Sequence, residues 1–393
     1  MNISDIYIGG WFQRTMLQLS EMYDFLRGGE STLKLNKTRL SANLKALEID
    51  SLEYGVFGEE YIIFSTKSGI TVKIFEDGLI VLHSKDVSVD TLKTDVRKVQ
   101  DYYEKKLSPA FSYLFSLGAP VPKELANIAN VYPYFVVLDK ASASDMQALL
   151  ADTDRPKYFE FKNSKYDVLR GDEYYFINRK TKSADQIERY IEEQIFIREF
   201  KGQLHRYLNT HRILWEKIDD VKAHKKVQGS EIVKFATKLE AYAKTINLID
   251  GRIKQMSTYL PTRERIAKED EDLAEFLEIS GYRYETLKDT LDYIGFLWDM
   301  TKHYVEDAQK QFDSLKSDVT SKSVESLTVV TSMSAAAAVI GLLQTEVPQF
   351  TSTGLIYVVV LALVGYGANK LLSYVSERQK YDVTDVDYEK NIK

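Results

Sequence analysis

The chain has 393 residues and a formal net charge of −6, with 28% charged and 44% apolar residues; this balance excludes a disordered or low-complexity polymer and leaves material for a sizeable core. It contains no cysteine, which excludes disulfides, thiolate zinc sites, iron–sulfur clusters and cysteine nucleophiles together. The mild acidic excess argues against a protein that coats nucleic acid, and no direct DNA binding is expected.

Residues 1–30 carry Asp5, Glu21, Asp24 and Glu30 among scattered apolar residues, with no signal-type apolar core or cleavage site. The N-terminus is therefore expected in the cytosol. Through residue 180, the segments IYIGGW, YIIFST, TVKIF, LIVLHS, YFVVLD, YFEFK and YYFINR read as strands, being rich in β-branched and aromatic residues between Gly and Asp turns. Helical spacing intervenes at 12–27, 88–107 and 143–151. Residues 1–180 are expected to form an α/β domain with a mixed sheet. It carries no P-loop and no dinucleotide-binding glycine fingerprint. RGGEST at 27–32 reads as a helix cap followed by a turn rather than a ligand loop.

Proline is absent from Lys157 to Leu260 and from Thr262 to Val347, which permits long helices over 181–325. Ile187, Ile191, Ile195, Leu204, Leu208 and Ile218 suggest one. Ile232, Ala236, Leu239, Ala243, Ile246 and Ile253 suggest a second, expected to turn near Gly251 or at Pro261 and pack antiparallel to a third. The third carries a heptad seam: Leu287, Leu291, Ile294, Trp298, Val305, Ala308, Phe312, Leu315 and Val319, with Thr301 as its weak place. A strict heptad predicts helix pairing, within one chain or between chains.

Residues 326–345 carry no charge, nor do residues 347–369, whose core is GLIYVVVLALVGYGA. Each is long enough to cross a hydrocarbon layer of about 30 Å as a helix. QTEVPQFTST between them has turn chemistry. The expectation is a C-terminal two-helix transmembrane hairpin, with spans 326–345 and 354–374 and a tail at 375–393. Lys316 and Lys322 before it and Lys370, Arg378 and Lys380 after it place both termini in the cytoplasm. The expected fold class is thus α+β: a cytosolic α/β domain, a long helical stalk and a membrane hairpin. The expected address is the inner membrane, multi-pass, with the lipid bilayer as partner.

His83, His205, His211, His224 and His303 show no metal-ligand spacing, and no serine sits in a nucleophile elbow. No enzyme, cofactor or metal site is expected, and no residue is assigned to ligand binding.

LTVVTSM at 327–333 and YVVVLALVG at 357–365, with the extended stalk leading into them, resemble the two membrane helices of the CorA-type magnesium channel family. The resemblance implies a homopentamer, with the first helix of each chain around the axis. Laid on that helix, Val324, Leu327, Thr331, Ala335, Ala338 and Leu342 line the pore, and Glu346 forms a carboxylate ring at its mouth that attracts cations. The family's Gly-Met-Asn signature is missing; GLLQTEVPQF stands in its place. CorA-like proteins without the signature occur beside type III CRISPR systems, which implies an antiviral channel gated by a nucleotide second messenger on its cytosolic domain. Two alternatives are a divalent-cation transporter with an altered filter and a non-conducting membrane-tethered scaffold.

Overall fold

Alternating apolar residues in the first half of the chain build one sheet, and the proline-poor second half builds three long helices. In the computed structural model the described residues are 2–11, 17–57, 59–85, 87–115, 133–153, 157–162, 165–180, 184–269, 271–343, 359–360, 363–367, 370–371, 374 and 378–383. They divide into two units. The first comprises Met1–Leu208 and Gly251–Gly295, the second Asn209–Asp250 and Phe296–Lys393.

The first unit holds strands β1 (Asn2–Trp11), β2 (Ile49–Phe57), β3 (Glu59–Thr66), β4 (Ile70–Phe75), β5 (Leu79–Lys85), β6 (Tyr134–Asp139), β7 (Phe159–Lys162), β8 (Tyr166–Arg170) and β9 (Tyr174–Arg179). They form a nine-stranded sheet in the order β2-β3-β4-β5-β1-β6-β9-β8-β7. Only β6 and β9 run parallel among these neighbours, so the sheet is mixed.

Strand periodicity sends side chains to both faces. Ile6 and Ile8 face a core shared with α1 (Leu19–Gly28), α2 (Lys37–Leu47), α3 (Leu92–Tyr102), α4 (Ser108–Phe115) and α5 (Ala143–Asp152). Trp11 faces the other way and packs on Phe196 and Phe200 of α6 (Ala184–Lys222) and on Tyr259 of α7 (Gly229–Glu269). The adjacent glycines of β1 allow close approach on both faces. A Cβ at Gly9 would stand 2.9 Å from the Ile195 side chain, and one at Gly10 would stand 2.5 Å from the Tyr103 hydroxyl. Tyr103 opens a short π-helical turn, Tyr103–Leu107, between α3 and α4.

Asn178 ties β9 to the segment after β6. Its amide accepts from Ala141 N and donates to Ala141 O, each at 2.8 Å, in a buried setting. Asn178→Ala strands both backbone groups away from water. It is expected to lower the unfolding free energy by about 2–4 kcal/mol, since each unmet buried group costs about 1–3 kcal/mol. A urea midpoint unchanged from wild type would refute that assignment.

RGGEST begins as a helix cap: Gly29 adopts φ 71° and its N–H donates to Phe25 O. The long helices are α6, α7 and α8 (Glu271–Leu343), and a short ladder joins β10 (Lys226–Gln228) to β11 (Lys380–Asp382). The heptad seam on α8 is buried from Leu287 through Phe312. Within the second unit its partners belong to the same chain: His211 meets Trp298, and Phe235 meets Phe312. Tyr304 stacks on Trp215 and donates to Asp219.

Two expectations are corrected. The second long helix does not turn at Gly251 or Pro261; α7 continues through both to Glu269. Proline removes one backbone donor and strains the turn before it; Arg263, two residues on, is paired with Asp77 and Glu59. The transmembrane hairpin is also corrected. No helix among the described residues is long and apolar enough to cross a membrane. Beyond Lys322 the described surface of α8 is largely small and hydroxylated, with Thr328, Thr331, Ser332 and Ala335 exposed. Such groups gain little from transfer into hydrocarbon. The expected fold class loses its membrane part. With it go the multi-pass inner-membrane address and the membrane-protein and ion-channel designation that rested on the hairpin. The mixed sheet and the helices remain.

Candidate anion-binding pocket

The six residues assigned to a pore from the sequence lie along one helix, α8. Val324, Thr331 and Ala335 are exposed on α8. Leu327, Ala338 and Leu342 belong to the backbone of the same helix, and their side chains lie outside the described residues, as does Glu346.

A different group of residues converges within the first unit. The register sets Phe135 of β6 beside Tyr175 of β9, and Tyr175 beside Arg170 of β8. Cross-strand neighbours share a face, so the three side chains form a row. The Phe135 and Tyr175 rings stack at 5.0 Å, and the Arg170 guanidinium lies 5.8 Å from the Tyr175 ring. The Tyr175 hydroxyl is 3.3 Å from that of Tyr190. One face of α6 lies over the row and contributes Gln194, Ile197, Arg198, Lys201, Leu204, His205 and Leu208, spaced as a helix requires. Pro133 and the α8 residues Thr286, Leu287 and Thr290 complete a cavity of about 460 Å³, within the usual range for small-ligand sites.

The electrostatics of this cavity are unusual. Arg170 Nε and Arg198 Nη1 are buried, and neither has a hydrogen-bond partner. Buried donors are nearly always paired, so two unpaired guanidinium N–H groups on residues that line one cavity leave a demand for acceptors. The Arg198 pKa is pushed down to about 10 by burial; nearby Glu199 opposes this and Arg170 adds to it. Glu199 is pushed up to about 7 by burial, with Arg206 and Arg198 pulling it back. Lys201 and His205 are exposed on the same helix face. The arrangement suits an anion: guanidinium forks match carboxylate and phosphate oxygens. Phe135, Ile197, Leu204 and Leu287 offer apolar and ring surface to the rest of a ligand.

Sequence patterns do not reveal this site, because its parts come from strands and helices far apart in the chain. The one local signal is Arg198, Lys201 and His205 at positions i, i+3 and i+7 on a helix. His205 lines this cavity, and among the described residues no group of three or more acidic or histidine side chains is placed to hold a metal ion. Comparison of the chain with protein-family models and with curated proteins finds no match.

Proposed function

We propose that this chain is a ligand-binding sensor whose nine-stranded unit takes up a phosphate-bearing small molecule of the nucleotide class. The observation that carries the reading is the pair of buried, unpartnered N–H groups on Arg170 and Arg198, two residues that line one cavity of small-ligand size. A phosphoryl group accepts from both guanidiniums and relieves their mutual repulsion. The Phe135 and Tyr175 side chains add apolar ring edges to the cavity wall, a surface suited to an aromatic base. Lys201 and His205 add positive or polar character beside the guanidiniums and favour an anionic over a neutral ligand. Binding is the whole of the proposed role; no residue is assigned to bond making or breaking.

The test is calorimetric titration of the full chain with a mononucleotide, a cyclic dinucleotide, inorganic phosphate and a fatty acid. At least one nucleotide is expected to bind more tightly than phosphate alone, and added salt to weaken it. Arg198→Gln and Arg170→Gln are each expected to weaken binding by about 10–100-fold, since a hydrogen bond to a charged group is worth about 1.5–3 kcal/mol. If no nucleotide binds, or both glutamine variants bind as wild type does, the reading is wrong. Tighter binding of the fatty acid would assign the pocket to carboxylate lipids instead.

A further inference from the structure

On the helix-covered face of the sheet, away from the pocket arginines, a second set of charges is shut in. Lys73 of β4 donates to Glu192 at 2.7 Å and to Glu188 at 3.3 Å, both on α6. Arg263 of α7 binds the Asp77 carboxylate through Nε at 2.6 Å and Nη2 at 3.0 Å, and its Nη2 stands 3.1 Å from Glu59 of β3. The guanidinium also lies 4.8 Å from the Phe75 ring and 5.5 Å from that of Phe196. Glu193 closes the set from α6. It is 7% exposed, and its Oε1 has no hydrogen-bond partner.

Five carboxylates therefore face two cations; Glu188 stands at the exposed rim, and the other four carboxylates are largely withdrawn from water. A buried carboxylate without a partner is costly, and the least expensive remedy is to keep its proton. We propose that Glu192 and Glu193 form a buried proton site that latches α6 and α7 onto the sheet, closed while protonated and loosened when the protons leave. With both glutamates neutral, the two cations face three carboxylates, and each cation retains a partner at ion-pair distance. With both ionised, five carboxylates share two cations, and the excess negative charge favours separation of the helices from the sheet.

The electrostatics agree in sign. Burial pushes Glu192 up to about 7, with Lys73 drawing it down and Glu188 raising it. Burial likewise pushes Glu193 up to about 8; Arg263 draws it down, and Asp77, Glu59 and Glu192 raise it. The neighbouring groups on the sheet feel the same charges. Glu59 is raised by burial, and Glu76 adds to that. Lys73 is held above its ordinary value by Glu192 and Glu188 against the pull of burial. Tyr7 of β1 is kept neutral by burial and by Asp5, Glu188 and Glu192. Both glutamates bind protons more strongly in the folded chain than in the unfolded one. Their contribution to stability is present at low pH and falls as pH rises from the ordinary carboxylate range through about 7 to 8.

Hydrogen exchange followed by mass spectrometry on the full chain tests this, at about pH 6 and about pH 8.5 with the intrinsic rate divided out. Peptides from residues 187–200 and 251–269 are expected to lose about tenfold or more protection at the higher pH, while α5 stays unchanged. The Glu192→Gln/Glu193→Gln variant, which mimics the protonated pair, is expected to keep its protection at both. Equal pH response in wild type and double variant, or a wild-type response no larger than that of α5, overturns the proposal. Should the variant not fold, infrared absorption of protonated carboxyl groups in the wild type decides. Loss of that band with a midpoint near 7–8 supports the site, and its absence at about pH 6 overturns it.

Discussion

Arg263→Met is expected to lower the unfolding free energy by about 3–5 kcal/mol, the usual cost of removing one partner from a buried ion pair. Methionine fills much of the volume and leaves Phe75 and Phe196 in contact with an apolar chain. The loss falls on the carboxylates. Asp77 loses both of its hydrogen bonds from Arg263, and Glu59 loses its neighbour. Asp77 is also structural through its backbone, since its carbonyl accepts from the Trp11 indole at 2.8 Å and its carboxylate from Leu79 N at 3.0 Å. The damage is therefore expected to spread to the turn between β4 and β5. Arg263→Lys keeps the charge but cannot reproduce the two-pronged geometry or lie flat against the rings, and it is expected to fall between wild type and Met. Chemical denaturation reads the series. A methionine variant within about 0.5 kcal/mol of wild type would mean that the pairing adds no net stability.

The second large effect is expected at Trp298→Ala, again about 3–5 kcal/mol, because a fully enclosed aromatic side chain is removed from the middle of the heptad seam. The ring meets His211 edge-on at 5.8 Å, and its Nε1 has no hydrogen-bond partner. Phenylalanine at this position discards the unpartnered N–H while keeping an aromatic ring, so Trp298→Phe is expected to cost far less than Trp298→Ala. Thermal unfolding followed by circular dichroism separates the two variants. A larger loss in Phe than in Ala would show that the indole nitrogen, not the packed volume, sets the stability of the seam. Thr301, the weak place of that seam, is fully buried without penalty because its hydroxyl donates to Leu297 O at 2.8 Å.

Much of the first unit is legible in the residue order. IYIGGW lies in β1, TVKIF in β4, LIVLHS in β5, YFVVLD in β6 and YYFINR in β9. In each, β-branched and aromatic residues mark a strand whichever neighbours it finds. β2 and β8 escape notice, since charged residues interrupt the apolar ones in IDSLEYGVF and YDVLR, and both are strands through pairing with β3 and β9. The heptad seam is equally plain, and it is buried from Leu287 through Phe312. Sequence patterns fail where chemistry depends on residues distant along the chain. The charge-free C-terminal runs invite a membrane reading from the absence of charge. The pocket arginines and the glutamate latch offer no comparable local cue.

The order of side chains along this chain determined which segments extend, which coil and which face each buries, because those outcomes depend on neighbours two to four residues away. Whether Arg198 ends beside Arg170, or Arg263 beside Asp77, was decided only when β8, β4 and the long helices packed together. Burial and the company of other charges then set the proton affinity of Glu192 and Glu193. Both are properties of three-dimensional surroundings, so the same residue types read along the chain look like an ordinary solvated helix face.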